Sequence, residues 1–217
     1  GDHAGKLPAS YLTSGSLAFQ LHIGNQVVAG EYLDIDYIYF TDDITNIDVG
    51  TQSNKRIVLS DETDNSALLS ANNTSTVDVD LHRSLNNAYY NTLCLPFALN
   101  ADQAEEIFGA GTSIGTLATA RIKEADELYM GFAFVDAIEA GVPYLIQPEN
   151  NVSNPLIHNV TIDNSDNATA ISGVVTFHGI YSPMEIEGQS NEDHTILLVG
   201  PNNILSFPNT TASMKGM

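Results

Sequence analysis

Apolar and polar residues alternate with period two along much of this chain. In residues 17–23, Leu17, Phe19, Leu21 and Ile23 share one face, while Ala18, Gln20 and His22 take the other. That is the signature of a strand with one covered side. Residues 33–40 place Leu33, Ile35, Tyr37 and Tyr39 together; the opposite face starts polar, with Asp34 and Asp36, and ends apolar, with Ile38 and Phe40. Val77, Val79 and Leu81 alternate with Asp78 and Asp80. Further strands are predicted over 56–60, 89–97, 128–135, 143–147, 160–163, 174–178, 195–199 and 204–207. Clusters of turn-forming residues at 61–66, 72–75, 164–167 and 188–193 separate them.

One segment has helical spacing. Asn100 can cap, Gln103 stands where a capping-box partner belongs, and Ala104, Ile107 and Phe108 share a face before Gly109. Many short strands and one short helix near 101–108 predict an all-β fold, an antiparallel β-sandwich of Greek-key or jelly-roll type. Residues 1–217 are read as a single domain. Gly50, Thr51, Gln52, Ser53 and Asn54 interrupt the apolar pattern. This leaves 53–217 as the main sandwich and 1–52 as a candidate separate hairpin layer.

The 217 residues include 27 acidic and 7 basic side chains, a net charge of −20. Nucleic acid and anionic lipid surfaces are thereby disfavoured as partners, because both require Lys and Arg to neutralise phosphate. No apolar run approaches a membrane span, so no membrane insertion is expected. Acidity, few lysines, abundant Asn and Thr and a single cysteine fit a secreted or cell-surface bacterial protein. The chain opens Gly1, Asp2, His3 without Met or an apolar leader. This start has the look of a cleavage scar, so a signal peptide removed beforehand is expected, and its absence does not speak against export.

Several segments together carry a resemblance: DNSALL (64–69), VDVDL (77–81), RSL (83–85), NTLCLPF (91–97), IEAGVPYLI (138–146), FHGIYSP (177–183), ILLVG (196–200) and SMKGM (213–217). In order and spacing they resemble an uncharacterised family of secreted or surface β-proteins of gut and oral Bacteroidetes, with the pattern "WNTLCLPF…IEAGxPYLI…F.G.Y.P". The resemblance covers roughly residues 56–217. It implies export and a β-rich architecture, and brings no activity and no catalytic residues. Tyr90 stands where the family commonly has Trp, and the chain stops where the family usually continues into a final aromatic strand. Physically, Leu93, Leu95 and Phe97 read as core positions, Pro96 as an edge or bulge, Gly141 as a turn needing positive φ, and Gly179 as a bend.

The sequence holds few arrangements that point to chemistry. Cys94 lies within an apolar run and reads as a small buried hydrophobe. His3, His22, His82, His158, His178 and His194 show no metal-ligand spacing. No Ser sits in a nucleophile elbow, and Gly109-Ala110-Gly111 lacks the lysine and helix of a phosphate loop. Among so many acids, some carboxylate pair always reaches glycosidase spacing, so Asp34/Asp36, Asp78/Asp80 and Glu185/Glu187 read as solvated faces. Calcium stays open at two oxygen-rich loops, Asp61 with Asp64 and Asn65, and Asp163 with Asn164, Asp166 and Asn167. Neither has EF-hand spacing. Tyr89, Tyr90 and Tyr181 are the candidates for an aromatic ligand platform, and Asp163, Asn164 and Asp166 for a metal site. The expected function is a non-catalytic exported or surface module for interaction or adhesion, or a structural unit, with an unknown protein or glycan partner and no required cofactor. Carbohydrate binding, with or without calcium, is the alternative, and a glycan hydrolase or lyase comes third.

Overall fold

The computed structural model describes residues 54–123, 127–165, 169–190, 195–200 and 203–217. These belong to the unit Asn54–Met217. The strands expected over 17–23 and 33–40, and the hairpin layer of 1–52, lie outside the described residues. In chain order the elements are β1 (Lys55–Ser60), α1 (Ser66–Asn72), β2 (Thr76–His82), β3 (Ser84–Leu85), β4 (Asn91–Leu93), α2 (Ala101–Phe108), β5 (Ser113–Ile122), β6 (Leu128–Val135), β7 (Tyr144–Gln147), β8 (Val152–Ser153), β9 (Leu156–Thr161), β10 (Thr169–Ser172), β11 (Val175–His178), β12 (Met184–Ile186), β13 (Leu198–Gly200), β14 (Ile204–Ser206) and β15 (Ala212–Met214). The fold is all-β in class, with two short helices, several small sheets and no barrel among the described residues.

Two sheets supply about half of the core, and loops, helices and β3 the rest. The three-stranded sheet runs β1-β2-β9, the four-stranded one β4-β7-β5-β6. Alternation along β2 turns Val77, Val79 and Leu81 inward beside Ile57 and Leu59 of β1. Leu93, Ile114, Tyr144 and Ile146 come from the four-stranded sheet, and the helices add Leu69, Ala104 and Phe108 to the same apolar cluster. Leu93, Leu95 and Phe97 are buried as expected. The strand expected over 89–97 is confined to β4, because Cys94 to Phe97 pack into the core with Pro96 unable to donate to a ladder.

The helix at 101–108 forms as read. Asn100 Oδ1 accepts the Gln103 N–H at 2.9 Å and Gln103 Oε1 accepts the Asn100 N–H at 3.1 Å, a complete capping box. Gly141 has the expected positive φ of 75°. Gly179 acts differently from the expected bend. A Cβ there would lie 2.2 Å from Cys94 Sγ, so the residue is small because the Cys94 segment passes against it.

Three expectations are corrected. A second helix, α1, occupies a stretch read as a turn leading into an unassigned run; two turns are too short for a 3.6-residue apolar period to show. The sheets are not all antiparallel, since β1 and β2 pair in parallel, Lys55 opposite Val77 through Ser60 opposite His82. The connection 61–75 is long enough to carry α1 across the sheet, which a parallel pair requires. Finally, β5 was missed. Its Gly115, Ala118 and Ala120 blur the alternation, leaving Thr116, Thr119 and the Ile residues at positions 114 and 122 as its β-forming signal.

At the start of α1, the buried Asn65 ties three segments together. Its Nδ2 donates to Ser60 O at 2.8 Å and Tyr181 O at 2.7 Å, and its Oδ1 accepts the Ser60 N–H at 3.2 Å. Asn65→Ala leaves those main-chain groups unpaired inside the protein and is expected to lower stability by about 3 kcal/mol. Val58→Ala, at an exposed β1 position, is expected to cost under about 0.5 kcal/mol. Denaturant midpoints of both variants check the contrast.

Candidate functional site

The parallel strands β1 and β2 end side by side, and β15 returns beside them. Together they bound a cleft of about 440 Å³ lined by Ser60, Asp61, Glu62, His82, Arg83, Ser84, Thr92, Asn154, Met214 and Lys215. Lys215 Nζ lies 2.7 Å from Glu62 Oε1 and 3.3 Å from Asp61 Oδ2. The contact holds the Glu62 carboxyl below its ordinary range, and the same hydrogen bond raises Lys215. Arg83 donates from Nη1 to Gly216 O at 2.6 Å and from Nη2 to Thr92 O. Burial pushes its guanidinium pKa down, while the charge of Asp61 works the other way. Its Nε is buried without a hydrogen-bond partner. His82 Nε2 stands 3.6 Å from Asp80 Oδ1. The cleft is thus lined by fixed donors and acceptors, and it gathers two of the chain's few basic side chains.

The tyrosines singled out in the sequence do not form one platform. Tyr181 is 7% exposed and belongs to the core, with its hydroxyl buried and unpartnered. Tyr89 and Tyr90 are half-buried. The Tyr90 N–H donates to Asn203 Oδ1 at 2.8 Å, and the Tyr89 carbonyl accepts from Asn91 Nδ2 at 3.1 Å.

Among the described residues, the side chains of the two oxygen-rich loops are engaged by protein partners. Asp61 faces Lys215, and Asp64 Oδ1 accepts the Ser66 N–H at 2.9 Å and the Ser182 hydroxyl at 3.0 Å. Hydrogen bonds from Ser66, then from Ser182, hold the Asp64 carboxyl below its ordinary range. Asp163 Oδ1 accepts the Ser165 N–H at 2.9 Å, with the same effect on its pKa. Asn164 Nδ2 donates to Ser70 Oγ at 3.1 Å. Asp166 and Asn167 lie outside the described residues. Among the described residues no three His, Cys, Asp or Glu side chains converge on a metal position.

The alternating carboxylates of β2 are not merely solvated. Asp80 pairs with Arg56 at 2.9 Å. Asp78 accepts from the Asn159 N–H at 2.8 Å and Asn54 Nδ2 at 3.2 Å, and lies 3.1 Å from His158 Nδ1. Partial burial works to raise Asp78, but these hydrogen bonds outweigh it and hold the carboxyl low.

No family model matches the chain, and no match was found among curated proteins or solved structures. Function therefore has to be argued from the cleft itself. The cleft is only partly visible in the sequence: Asp61 reads as part of an oxygen-rich loop, His82 as one scattered histidine, and Arg83 and Lys215 as members of the RSL and SMKGM segments. Glu62 was not singled out. Their spacing along the chain carries no common motif, because the parallel β1–β2 pair and the return of β15 are what bring them together. Among the described residues no helix is long and apolar enough to cross a membrane.

Cys94 is buried, and its Sγ donates to Gly141 O at 3.3 Å. Burial pushes the thiol up to about 12. The folded chain therefore keeps a proton that the unfolded chain releases from about pH 8.5 upward. Stability contributed by the neutral thiol is present below that pH and falls as pH rises toward 12. Thermal melting is expected to drop between about pH 8.5 and 12, with a shallower slope in Cys94→Ala. Calcium addition after chelation is expected to leave the melting temperature unchanged, since protein donors already hold Oδ1 of Asp64 and of Asp163.

Proposed function

We propose that this chain is a non-catalytic interaction module of an exported or cell-surface protein, built as a two-layer sandwich. The stacking is supported by one apolar cluster drawing residues from both the three-stranded and the four-stranded sheets. The observation that carries the functional reading is the state of the charged groups in the 440 Å³ cleft. Asp61 and Glu62 are engaged by Lys215, and Arg83 is held by two main-chain carbonyls. Groups anchored in this way present a fixed polar surface, which suits recognition more than proton transfer. The acidic composition and the resemblance to exported β-proteins agree with a role outside the cell.

A second reading, glycan binding, is favoured by the lining. Ser60, His82, Ser84, Thr92 and Asn154 add hydroxyl, imidazole and amide groups to the charged ones, the mixture of donors and acceptors that sugar hydroxyls pair with.

Screening the full chain against a glycan array and extracellular matrix proteins is expected to yield a bound partner that is released unchanged. His82→Ala and Asn154→Ala are each expected to weaken that binding by about tenfold, the loss of a hydrogen bond or two. Turnover of an offered glycan, abolished by either substitution, would overturn the reading.

A further inference from the structure

We propose that the groove between α2 and β9 binds an arginine side chain of a partner polypeptide. The groove has a volume of about 360 Å³ and is lined by Glu106 and Ile107 of α2, by Pro155, and by Leu156, Ile157 and His158 of β9. None of these residues lines the cleft, so the proposal does not rest on the role given to the cleft.

Two polar groups in the lining are fixed in what they can do. Glu106 is exposed and makes no hydrogen bond or ion pair among the described residues. The ring of His158 is held by Asp78, with Nδ1 3.1 Å from Asp78 Oδ2. Asp78 is itself anchored, since its Oδ1 accepts the Asn159 N–H at 2.8 Å and Asn54 Nδ2 at 3.2 Å. Those contacts keep the Asp78 carboxyl below its ordinary range, and an ionised carboxylate only accepts. Nδ1 therefore carries the hydrogen, and in the neutral ring Nε2 is left with a lone pair. Gln103, also in the lining, has its amide oxygen committed to the Asn100 N–H. The groove thus offers a carboxylate and an imidazole acceptor beside the half-buried Ile107, Pro155 and Leu156 and the buried Ile157.

Such a site selects a ligand that brings donors. No lysine or arginine lines the groove, and an unpaired carboxylate on a chain of −20 favours a cation. A guanidinium answers every feature. Its planar fork can set two N–H groups on Glu106 and a further one on His158 Nε2. Its weakly hydrated faces and its methylene stem suit the apolar side chains. An ammonium is a compact, strongly hydrated charge and gains less from that wall. The groove is larger than one arginine side chain, which leaves space for a flanking residue and favours a polypeptide over a free guanidine.

The test is an NMR titration of the isotope-labelled full chain with the capped peptide Ala-Leu-Arg-Leu-Ala. Saturable shifts are expected at 103–107 and 155–159, including the His158 ring signals. The same peptide with citrulline in place of arginine, equal in shape but uncharged, is expected to bind about tenfold more weakly. Glu106→Gln should weaken the arginine peptide by about tenfold, the loss of a charge-assisted hydrogen bond. Glu105→Gln removes the same charge from the next position of α2, outside the groove, and should leave the affinity unchanged. Signals away from the groove report that each variant is folded. Equal binding of the citrulline peptide, equal effects of the two glutamate substitutions, or shifts that spread over the acidic surface without saturating would each overturn the proposal. So would agmatine alone binding as tightly as the peptide, which would make a free guanidine the ligand.

Discussion

The fold turns on a parallel strand pair that has to be closed by a crossover, and the closure is held by the buried side chain of Asn65, 2% exposed. A carboxamide offers donors and an acceptor at once, so it can pair with both the N–H and the carbonyl of Ser60 while also taking the Tyr181 carbonyl. Ser182 adds a second tie, accepting the Asn65 N–H at 2.9 Å and donating to Asp64. The end of β1, the start of α1 and the 181–182 turn are thereby locked together. β2 itself is held by its ladders to β1 and β9, and from there it presents His82 and Arg83 to the cleft.

The same junction explains how so acidic a chain stays compact there. The six basic residues of the described unit are few, yet several sit where strands meet. Arg56 crosses to Asp80, Lys55 Nζ reaches Asn72 Oδ1 at 2.8 Å, Arg83 bridges β4 to the 216 carbonyl, and Lys215 ties β15 to the turn after β1. Exposed pairs of this kind contribute little singly. Their value here is positional: each fixes one segment against another, and Arg83 and Lys215 do so at the cleft. Arg83 does this with main-chain carbonyls and keeps its charge partly compensated by Asp61 at a distance.

The four-stranded sheet has two different faces. One side, with Leu93, Ile114, Tyr144 and Ile146, joins the core. On the other, the β10–β11 hairpin lies over β5, where Ser172 Oγ donates to Ala118 O at 2.8 Å and Phe177 meets Phe132. Phe134 on the same face is 66% exposed. An antiparallel sheet with one wet side would ordinarily place polar residues there.

Much of this was legible in the residues alone. The alternation of Val77, Val79 and Leu81, the burial of Leu93, Leu95 and Phe97, the capping box at Asn100 and Gln103, and the turn at Gly141 follow from local chemistry, because side-chain period and backbone preference act over a few residues. Pairing partners were not legible. Whether β1 meets β2 in parallel depends on a crossover through α1, and two helical turns leave no periodic trace. Tyr181 looked like a surface aromatic because period two says which residues share a face, not which face is covered. The cleft of Asp61, His82, Arg83 and Lys215 joins residues from both ends of the described unit. Only the folded chain decides that meeting, since hydrogen bonding between strands is indifferent to their separation in sequence.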